Sequence, residues 1–445
     1  MTAVGIDAIE IRSGRLRLDL AETFAPAKGE EPGKYTEGIG IAHSSLPDVY
    51  EDIVTMGANA AKELMDRKGL LPDDIGRIDV ATESAFDNSK PVSTYIAGCL
   101  EDVYDGDFHH ANKGERKFAC LSGTQCIDDA YNWIRAGRNR GRAALVIATD
   151  TALYERGDPG EATQGAGAVA MLIDEEPDIV ALSTEQGYGS ADETDFLKPN
   201  QQFPSVDGKR SIQVYLARMR EALEDFESIA GGTHPDSFAY FPFHTPYPGM
   251  VRKAALLGYR HITRDTEVEE GLSSDIGMQP RDADFDSREA YEDAIRAYMD
   301  DLKGTSQYRE WYDQAIGPTV DVSGRVGNWY TGSVHLARLS ALRAAAADGV
   351  DLAGQRLLVG SYGSGAQAEI HAETVQEGWR DAVAPIDVDD QLDDRYDLSF
   401  EEYELVHDVH NHQEEVDVEA FTQPDGEFVF TGWGRMSERR YEYVE

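Results

Sequence analysis

Cysteine is scarce in this chain, with only 3 among 445 residues: Cys99, Cys120 and Cys126. So sparse and odd a set excludes a disulfide framework and indicates a reducing compartment. The sequence also lacks any run of about 18 apolar residues, the length of a membrane-spanning helix. The segment from Met1 to Asp7 has neither the basic flank nor the apolar core of a signal peptide. We therefore expect a soluble, cytoplasmic protein.

Positive charge is also in short supply. Against 41 Lys and Arg stand 83 Asp and Glu, a formal net charge of -42, which makes nucleic acid and anionic membranes poor partners. Such a density of negative charge destabilises a compact chain by self-repulsion. Salt reduces the repulsion by shortening the screening length, to about 3 Å at 1 M. We interpret the charge as adaptation to a highly saline cytoplasm. An acidic interaction surface would instead concentrate the charge, and only residues 387–397 and the tail near Glu414 approach that.

No phosphate-binding loop or dinucleotide fingerprint is present. Short apolar runs instead alternate with longer amphipathic stretches, which is typical of an α/β protein. The pattern predicts helices over residues 48–68 and around 215–226. It predicts strands over residues 5–11, 78–82, 145–148, 168–173, 238–241 and 357–360.

The order of these elements repeats along the chain. Residues 143–150 lead to a glycine-rich segment at 164–168, and residues 356–360 lead into another at 361–366. Residues 78–83 and 238–244 are each strand-like, and each run ends at an ionisable residue, Glu83 or His244. A length of 445 residues also suggests two domains or closely packed halves. We expect a duplicated α/β unit, with halves at 1–175 and 176–445 and functional residues at strand ends between them.

Cys120 is the best-placed nucleophile. It lies where an apolar run gives way to a predicted helix through Ile127 and Ile134. The positive end of a helix dipole would lower the pKa of its thiol. The alternative is a buried core thiol, the role we expect for Cys126.

Three further residues could take part in chemistry, although each also has an ordinary explanation. Glu83 could be one more solvated acid, His244 a core or surface histidine, and Asn328 part of a simple Gly-Asn turn. His407, His410 and His412 alternate in an acidic region; their spacing would put three rings on one side only in an extended strand, so we expect no metal site there.

A family resemblance joins these residues. Seven segments of the chain resemble the signature blocks of the 3-hydroxy-3-methylglutaryl-CoA (HMG-CoA) synthase family and occur in the same order. They are residues 81–84, 119–120, 146–152, 163–171, 243–246, 326–333 and 361–365. The resemblance implies a thiolase-like fold, two pseudo-duplicated halves in an αβαβα arrangement. It also implies condensation of acetyl-CoA with acetoacetyl-CoA for the mevalonate pathway of isoprenoid synthesis, without a cofactor, by a homodimer.

The resemblance also implies roles for individual residues. Cys120 would carry the acetyl group, Glu83 would act as general acid/base with a pKa raised by Ala81, Ala85 and Phe86, and His244 would polarise the acetoacetyl carbonyl. Five further residues would bind substrate: Thr163, Asn328, Ser361, Arg252 and Lys253. Of these, the two cations Arg252 and Lys253 would bind the CoA phosphates.

Two positions depart from the family pattern. Gly249 stands where a lysine is usual, and Leu121 follows the nucleophile where an aromatic is usual. Other functions remain open: a ketoacyl synthase of the same fold, a non-catalytic acyl-CoA-binding protein, or a cysteine hydrolase. Glu83 and the segment after Asn328 disfavour a ketoacyl synthase. A protein that only binds acyl-CoA would not need all of Glu83, Cys120 and His244. A cysteine hydrolase would have no acyl-transfer use for Glu83.

Overall fold

The structure is a computed structural model that describes residues 2–199, 201–411 and 418–445. His412 and Glu414 lie outside the described residues. The strands are β1 (Val4–Ser13), β2 (Leu16–Asp19), β3 (His43–Leu46), β4 (Ile75–Ala81), β5 (Asn112–Arg116), β6 (Ala143–Ala152), β7 (Gly165–Glu175), β8 (Val180–Ser190), β9 (Phe196–Leu197), β10 (Ser205–Val206), β11 (Arg356–Gly363), β12 (Gln367–Val375), β13 (Tyr396–Asp397), β14 (Glu427–Trp433) and β15 (Arg439–Val444).

The α-helices are α1 (Ala25–Lys28), α2 (Ile53–Lys68), α3 (Val92–Glu101), α4 (Ser122–Arg135), α5 (Gly208–Ala230), α6 (Pro248–Ile262), α7 (Glu267–Ile276), α8 (Arg288–Leu302), α9 (Ser306–Ala315), α10 (Gly317–Val326), α11 (Ser333–Ala347), α12 (Trp379–Val383), α13 (Val388–Asp393) and α14 (Phe400–Asn411). Two π-helical turns cover Leu20–Phe24 and Lys34–Ile39. Short 3₁₀ turns cover Pro72–Asp74, Glu161–Thr163, Pro235–Ser237, Asp282–Asp284 and Tyr330–Gly332.

The predicted α/β class is confirmed. One eight-stranded sheet has the order β11-β12-β8-β1-β7-β6-β4-β5. In the first half, β1 pairs antiparallel with β7 and β7 antiparallel with β6, while β6, β4 and β5 run parallel. In the second half, β8 pairs antiparallel with β12 and β12 antiparallel with β11. The two halves thus repeat one topology, and β1 and β8 join them.

One predicted strand, residues 238–241, was wrong as a regular strand. The segment makes only isolated parallel bridges to β11, from Tyr240 to Leu357 and from Phe243 to Gly360. Pro242 has no N–H to donate, which interrupts regular pairing. The segment nevertheless occupies beside β11 the place that β4 occupies beside β6, so His244 and Glu83 follow equivalent runs. The predicted division after residue 175 falls where β7 ends and stays a prediction.

The layers follow from the alternation of side chains along the strands. Val146 of β6 and Val359 of β11 face a central cluster that contains α4 and α11. Ile147 on the other face of β6 packs against α2 and α3, and Leu358 on the other face of β11 packs against α5 and α6. Helices therefore cover both faces of each half, which gives the five layers predicted.

The two predicted helices exist with different bounds. Helix α2 begins at Ile53, not at residue 48, because Asp52 caps it by accepting hydrogen bonds from the N–H groups of Val54 and Thr55. Helix α5 extends in both directions beyond the predicted residues 215–226. No helix within the described ranges is long and apolar enough to cross a membrane.

Candidate active site

A cavity of about 890 Å³ lies between the two halves. Its wall includes six of the eight residues predicted for the site: Glu83, Cys120, Thr163, His244, Lys253 and Asn328. They come from five separate parts of the chain. Glu83 follows the end of β4 and His244 follows the run that bridges to β11, as predicted, whereas the other four lie in turns and helices. The volume suits a substrate of the size of a thioester and its pantetheine arm.

Cys120 is placed by a tight turn between β5 and α4. Ala119 has a φ of +43° in the left-handed region, and the Leu121 N–H donates to the Phe118 carbonyl at 3.1 Å. The thiol is buried, and its Sγ donates to Oε1 of Glu83 at 2.8 Å. A nucleophile and a titratable base thus stand in direct contact at the end of the cavity.

The expected effect of the helix terminus on Cys120 was wrong. Helix α4 begins at Ser122, two residues beyond the thiol. Burial raises the pKa of Cys120 well above its ordinary value, and the neighbouring Glu83 carboxylate raises it further. In the free protein Cys120 is therefore a neutral thiol.

The pKa of Glu83 is raised to about 8, in the predicted direction, first by burial and then by the Asp150 carboxylate. The second cause was missed from the sequence. Of the apolar residues that we expected around Glu83, Ala85 is exposed and Phe86 packs at a tilt against Tyr95, with 5.4 Å between the ring centroids. Glu83 can therefore exchange a proton near neutral pH.

Asp150 fixes the backbone that carries Glu83. It lies near the end of β6, fully buried, and its Oδ1 accepts from the Glu83 N–H at 2.7 Å and from the Ser84 hydroxyl at 2.8 Å. Its Oδ2 accepts from the Thr331 N–H at 3.1 Å and the Thr331 hydroxyl at 2.5 Å. Asp150 thereby ties the first half of the site to the segment that contains Asn328.

His244 is held by its backbone. Its N–H donates to the Gly360 carbonyl at 2.7 Å, and its own carbonyl accepts from the Tyr215 hydroxyl at 2.9 Å. Burial lowers the pKa of His244 to about 3. The ring is therefore neutral and can polarise a carbonyl by hydrogen bonding without carrying a charge.

Asn328 has a fixed side chain. Its Oδ1 accepts from the Tyr330 N–H and from the Ser333 hydroxyl, both at 2.8 Å, which leaves the amide Nδ2 as the donor toward the cavity. Gly327 before it has a φ of +79°, and a Cβ there would lie 1.9 Å from the Gln164 carbonyl oxygen. The turn is therefore built closely against the segment that follows Thr163, whose carbonyl accepts from the Asn328 N–H at 3.0 Å.

Comparison with known proteins matches both halves to one family. Residues 1–178 match the N-terminal part and residues 188–432 the C-terminal part of hydroxymethylglutaryl-coenzyme A synthase. The chain belongs to the HMG-CoA synthase family. The Hydroxymethylglutaryl-CoA synthase of Haloferax volcanii, a halophilic archaeon, is 77% identical over 445 residues, 100% of both chains. The human cytoplasmic Hydroxymethylglutaryl-CoA synthase is 32% identical over 84% of this chain and 72% of its own length.

Solved structures of HMG-CoA synthases share the fold. The structure of MvaS in complex with 3-hydroxy-3-methylglutaryl coenzyme A aligns with a TM-score of 0.84 at 29% identity, covering 100% of both chains. An HMG-CoA synthase complexed with CoA aligns with a TM-score of 0.76 at 28% identity, covering 99% of this chain and 100% of that chain. These alignments confirm the predicted thiolase-like fold of the HMG-CoA synthase family.

Two residues that the HMG-CoA synthase resemblance assigned to substrate are placed elsewhere. Ser361 is fully buried and its hydroxyl pairs with that of Thr124 at 2.6 Å; the cavity is lined by Tyr362 and Ser364 instead. Arg252 is not in the cavity wall, because its guanidinium donates to the carbonyls of Glu37 at 2.5 Å and Gly38 at 2.8 Å.

Lysines surround the cavity in place of Arg252. Lys253 lines it as predicted, and Lys209 at the start of α5, which the sequence argument missed, lines it too. Neither lysine makes an ion pair with the part of the chain that the structure describes. The sequence offers no signal for Lys209, because its place in the cavity wall follows only from the fold.

The departure from the HMG-CoA synthase pattern at Gly249 has a steric explanation. A Cβ at Gly249 would lie 2.6 Å from the Gly38 carbonyl oxygen and 3.1 Å from that of Ile39, so this backbone has no room for a lysine. Leu121 is fully buried, and its Cβ would be 2.8 Å from a Cβ at Gly363. Nothing in the structure explains why a leucine stands at position 121 where an aromatic is usual.

Two of the three candidate histidines, His407 and His410, lie on α14 and not on an extended strand; His412 is outside the described residues. His407 Nε2 contacts the Tyr154 carbonyl at 2.7 Å, and His410 Nε2 contacts the Pro47 carbonyl at 3.0 Å. Within the ranges 2–199, 201–411 and 418–445, no three His, Cys, Asp or Glu side chains come together in a way that could hold a metal ion.

Proposed function

We propose that the protein condenses acetyl-CoA with acetoacetyl-CoA and water to give HMG-CoA and free CoA, through an acetyl thioester on Cys120. The observation that carries this proposal is the contact of 2.8 Å between Cys120 Sγ and Glu83 Oε1 in a cavity shared with His244 and Asn328. Forming this carbon–carbon bond needs an acyl carrier, a base for a methyl proton and a site that polarises a ketone. The product would supply the mevalonate pathway.

In the first step the Cys120 sulfur attacks the acetyl carbonyl of acetyl-CoA, the bond between that carbon and the CoA sulfur breaks, and the Cys120 proton passes to CoA, which leaves as a thiol. The acetyl carbon then stands beside Glu83, because sulfur and carboxylate are already in contact. Because Cys120 is buried, little water can reach the thioester before condensation.

In the second step the Glu83 carboxylate removes a proton from the acetyl methyl group. The resulting carbanion adds to the ketone carbon of acetoacetyl-CoA. The neutral His244 ring and the Asn328 amide donate to the ketone oxygen as negative charge develops on it. Glu83 then returns the proton to this oxygen, which forms the tertiary alcohol.

In the last step water attacks the thioester on Cys120. The carbon–sulfur bond breaks, the thiol is restored, and the new carboxylate leaves as part of HMG-CoA. These steps use only side chains, the two acyl-CoA substrates and water, so we propose a reaction without a cofactor.

The same cavity offers contacts for CoA. Lys209 and Lys253 line it and would bind phosphates as point charges, whereas Arg252 is occupied by backbone carbonyls. Thr163 lies in the wall, where its hydroxyl donates to the Gly160 carbonyl at 2.8 Å. We propose that Thr163 supports the turn before Asn328 and borders the acyl group.

We also propose that the protein is a cytoplasmic homodimer. The three cysteines are free thiols, which suits a reducing compartment. Strand β5 ends the eight-stranded sheet, and such an edge is normally covered or paired. Sedimentation velocity in 2 M KCl tests the dimer: a single species at the monomer mass over the micromolar range would refute it.

Product analysis tests the reaction. Purified protein in multimolar KCl is mixed with isotope-labelled acetyl-CoA and unlabelled acetoacetyl-CoA, with Cys126→Ala as a matched control for Cys120→Ala. We expect labelled HMG-CoA from the wild type and Cys126→Ala and none from Cys120→Ala or without acetoacetyl-CoA. Label transferred only from an acetyl group on an acyl carrier protein would instead support the ketoacyl-synthase alternative.

A further inference from the structure

The tautomer of His244 decides what its ring can do. The ring lines the cavity, its Nδ1 is buried, and within the described structure Nδ1 has no hydrogen-bond partner. A neutral imidazole carries one proton, so one ring nitrogen donates and the other accepts. His244 can donate to a substrate carbonyl only if the proton is on Nε2, the nitrogen left to face the cavity.

A second buried histidine has a tautomer that its partner dictates. His335 lies in the first turn of α11 and is fully buried. Its Nδ1 lies 2.9 Å from Nη1 of Arg338. Because a guanidinium only donates, Nδ1 must accept. Burial, and then the Arg338 charge, hold the pKa of His335 well below its ordinary value, so the single proton of the neutral ring is on Nε2.

Arg338 is itself fixed. Its Nε and Nη2 donate to the two carboxylate oxygens of Glu373 at 2.8 and 2.5 Å, and both side chains are fully buried. Such a bidentate pair holds the guanidinium in one orientation. Nη1 therefore always points at His335, and the tautomer of His335 is set by a buried ion pair.

The free donor of His335 lies against the first turn of α4, the helix that follows Cys120. Its Nε2 is buried and, in the part of the chain described, makes no hydrogen bond; it lies 2.6 Å from where a Cβ of Gly123 would be, at the first turn of α4. The next residue, Thr124, bonds Ser361, and the adjacent Gly360 carbonyl holds the His244 N–H. A charge on His244 would lower the pKa of His335, so the two rings lie within electrostatic range of each other.

We propose that His335 is a positioning residue for His244: its Nε2–H donates, through buried water, to Nδ1 of His244. His244 then accepts at Nδ1 and keeps its own proton on Nε2, where it can donate to the substrate. Buried water commonly joins polar groups that lack a direct partner. The hydrogen bond on one nitrogen of a histidine sets the state of the other.

The side chain at position 335 can be changed to separate this role from simple packing. In His335→Gln the amide nitrogen replaces Nε2 and keeps a donor toward His244, but the acceptor for Arg338 is lost. In His335→Asn the amide oxygen replaces Nδ1 and keeps the contact with Arg338, but the donor is lost. A role for His335 only in the ion-pair cluster would make the Gln variant worse, whereas the proposal makes the Asn variant worse.

Kinetics of the two variants form the first readout, which rests on the proposed function. We expect kcat/KM for acetoacetyl-CoA to fall about tenfold in His335→Asn, less than the ~10²–10³ of deleting a donor outright. His335→Gln should stay near the wild type, and acetylation of Cys120 should be unchanged in both. Equal kinetics in the two variants, or a larger loss in His335→Gln, would overturn the proposal.

Nitrogen-15 NMR of histidine-labelled protein gives a readout that needs no activity. The His244 signals are assigned by their loss in His244→Gln. The wild type should show a protonated Nε2 and an unprotonated Nδ1 on His244, and His335→Asn should shift this balance. A proton on Nδ1 of His244 in the wild type would overturn the proposal even if neither variant folds, and whether or not HMG-CoA is made.

Discussion

Cys120 and Glu83 each have a pKa above the ordinary value, and the same burial causes both shifts. A neutral thiol beside an acid that titrates near 8 is a resting state suited to acyl transfer followed by proton removal. The thiol exchanges its proton for an acyl group and regains a proton on hydrolysis. The carboxylate must gain and lose a proton within one cycle.

Glu83→Gln should separate the two chemical stages. Gln keeps the shape and a hydrogen-bond acceptor for the Cys120 thiol, so labelled acetyl-CoA should still acetylate Cys120. It cannot take a methyl proton, so condensation should fall by about 10²–10⁴, the range for a general base. Rapid-quench analysis of both stages checks this, and normal turnover in Glu83→Gln would rule out the acid/base role.

The pH dependence of condensation should follow Glu83. With a pKa of about 8, its base form is scarce below that pH, so the rate should rise with pH and level off above 8. His244, with its pKa lowered to about 3, should add no further transition near the ordinary 6.5 of histidine. A pH–rate profile of the wild type measures this. A flat profile from pH 6 to 9 would contradict the assignment.

The sequence predicted the site residues that lie in the family blocks. Cys120, Glu83, His244 and Asn328 do line one cavity, although their roles stay predictions. The misplaced residue Ser361 is turned toward Thr124, a side-chain direction that no motif encodes. Asp150 and Arg338 were missed because buried carboxylates and guanidinium groups look like surface charges in a sequence with 83 acids.

The start of helix α6 packs directly against the backbone of residues 37–39, which leaves no room for a side chain at position 249. Gly249 in its first turn is pressed against the carbonyls of residues 38 and 39, and the guanidinium of Arg252 binds the carbonyls of residues 37 and 38. The start of α6 and the π-helical turn Lys34–Ile39 are thereby locked together beside the cavity.

Two glycines of α6 should respond oppositely to alanine. A Cβ at Gly258 meets nothing within 4 Å, so Gly258→Ala should raise the free energy of unfolding by about 1 kcal/mol, the helix-propensity difference. Gly249→Ala should lower the free energy of unfolding and raise the KM for acetyl-CoA, because the backbone must move. Denaturant unfolding in 2 M KCl compares the pair; a stabilised Gly249→Ala would contradict the steric account.

Strands that the sequence predicted are those with continuous apolar runs, such as β6 and β7. Strand β8 was missed because its polar residues and glycines hide the pattern. Gly187 and Gly189 leave room for α5, since a Cβ on Gly187 would lie 2.2 Å from the Phe226 nitrogen and one on Gly189 2.4 Å from the Arg218 carbonyl oxygen. Close helix packing therefore selects glycine where a strand pattern would show an apolar residue.

The charge of the whole molecule sets its conditions. A net charge of -42 opposes folding at low ionic strength and also repels the phosphates of CoA. Some acids are compensated internally, as where Arg12 and Arg15 pair with the buried Glu427, but about half of the 83 acids have no Lys or Arg to balance them. The Haloferax volcanii relative, at 77% identity, fits the saline environment that the sequence predicts.

Stability should therefore depend on salt. Raising KCl shortens the screening length from about 10 Å at 0.1 M to about 3 Å at 1 M, so the melting temperature should rise steeply over this interval and more slowly above it. Differential scanning calorimetry in a KCl series tests this. A melting temperature independent of salt would show that self-repulsion does not limit the fold.

The central claim is that Cys120 carries the acetyl group to acetoacetyl-CoA. Its most direct test is mass spectrometry of the protein mixed with acetyl-CoA alone and then chased with acetoacetyl-CoA. We predict an acetyl group on the peptide that contains Cys120, lost on the chase as HMG-CoA appears in equal amount. Acetyl on Cys99 or Cys126 instead, or an acetyl-Cys120 that acetoacetyl-CoA does not discharge, would contradict the claim.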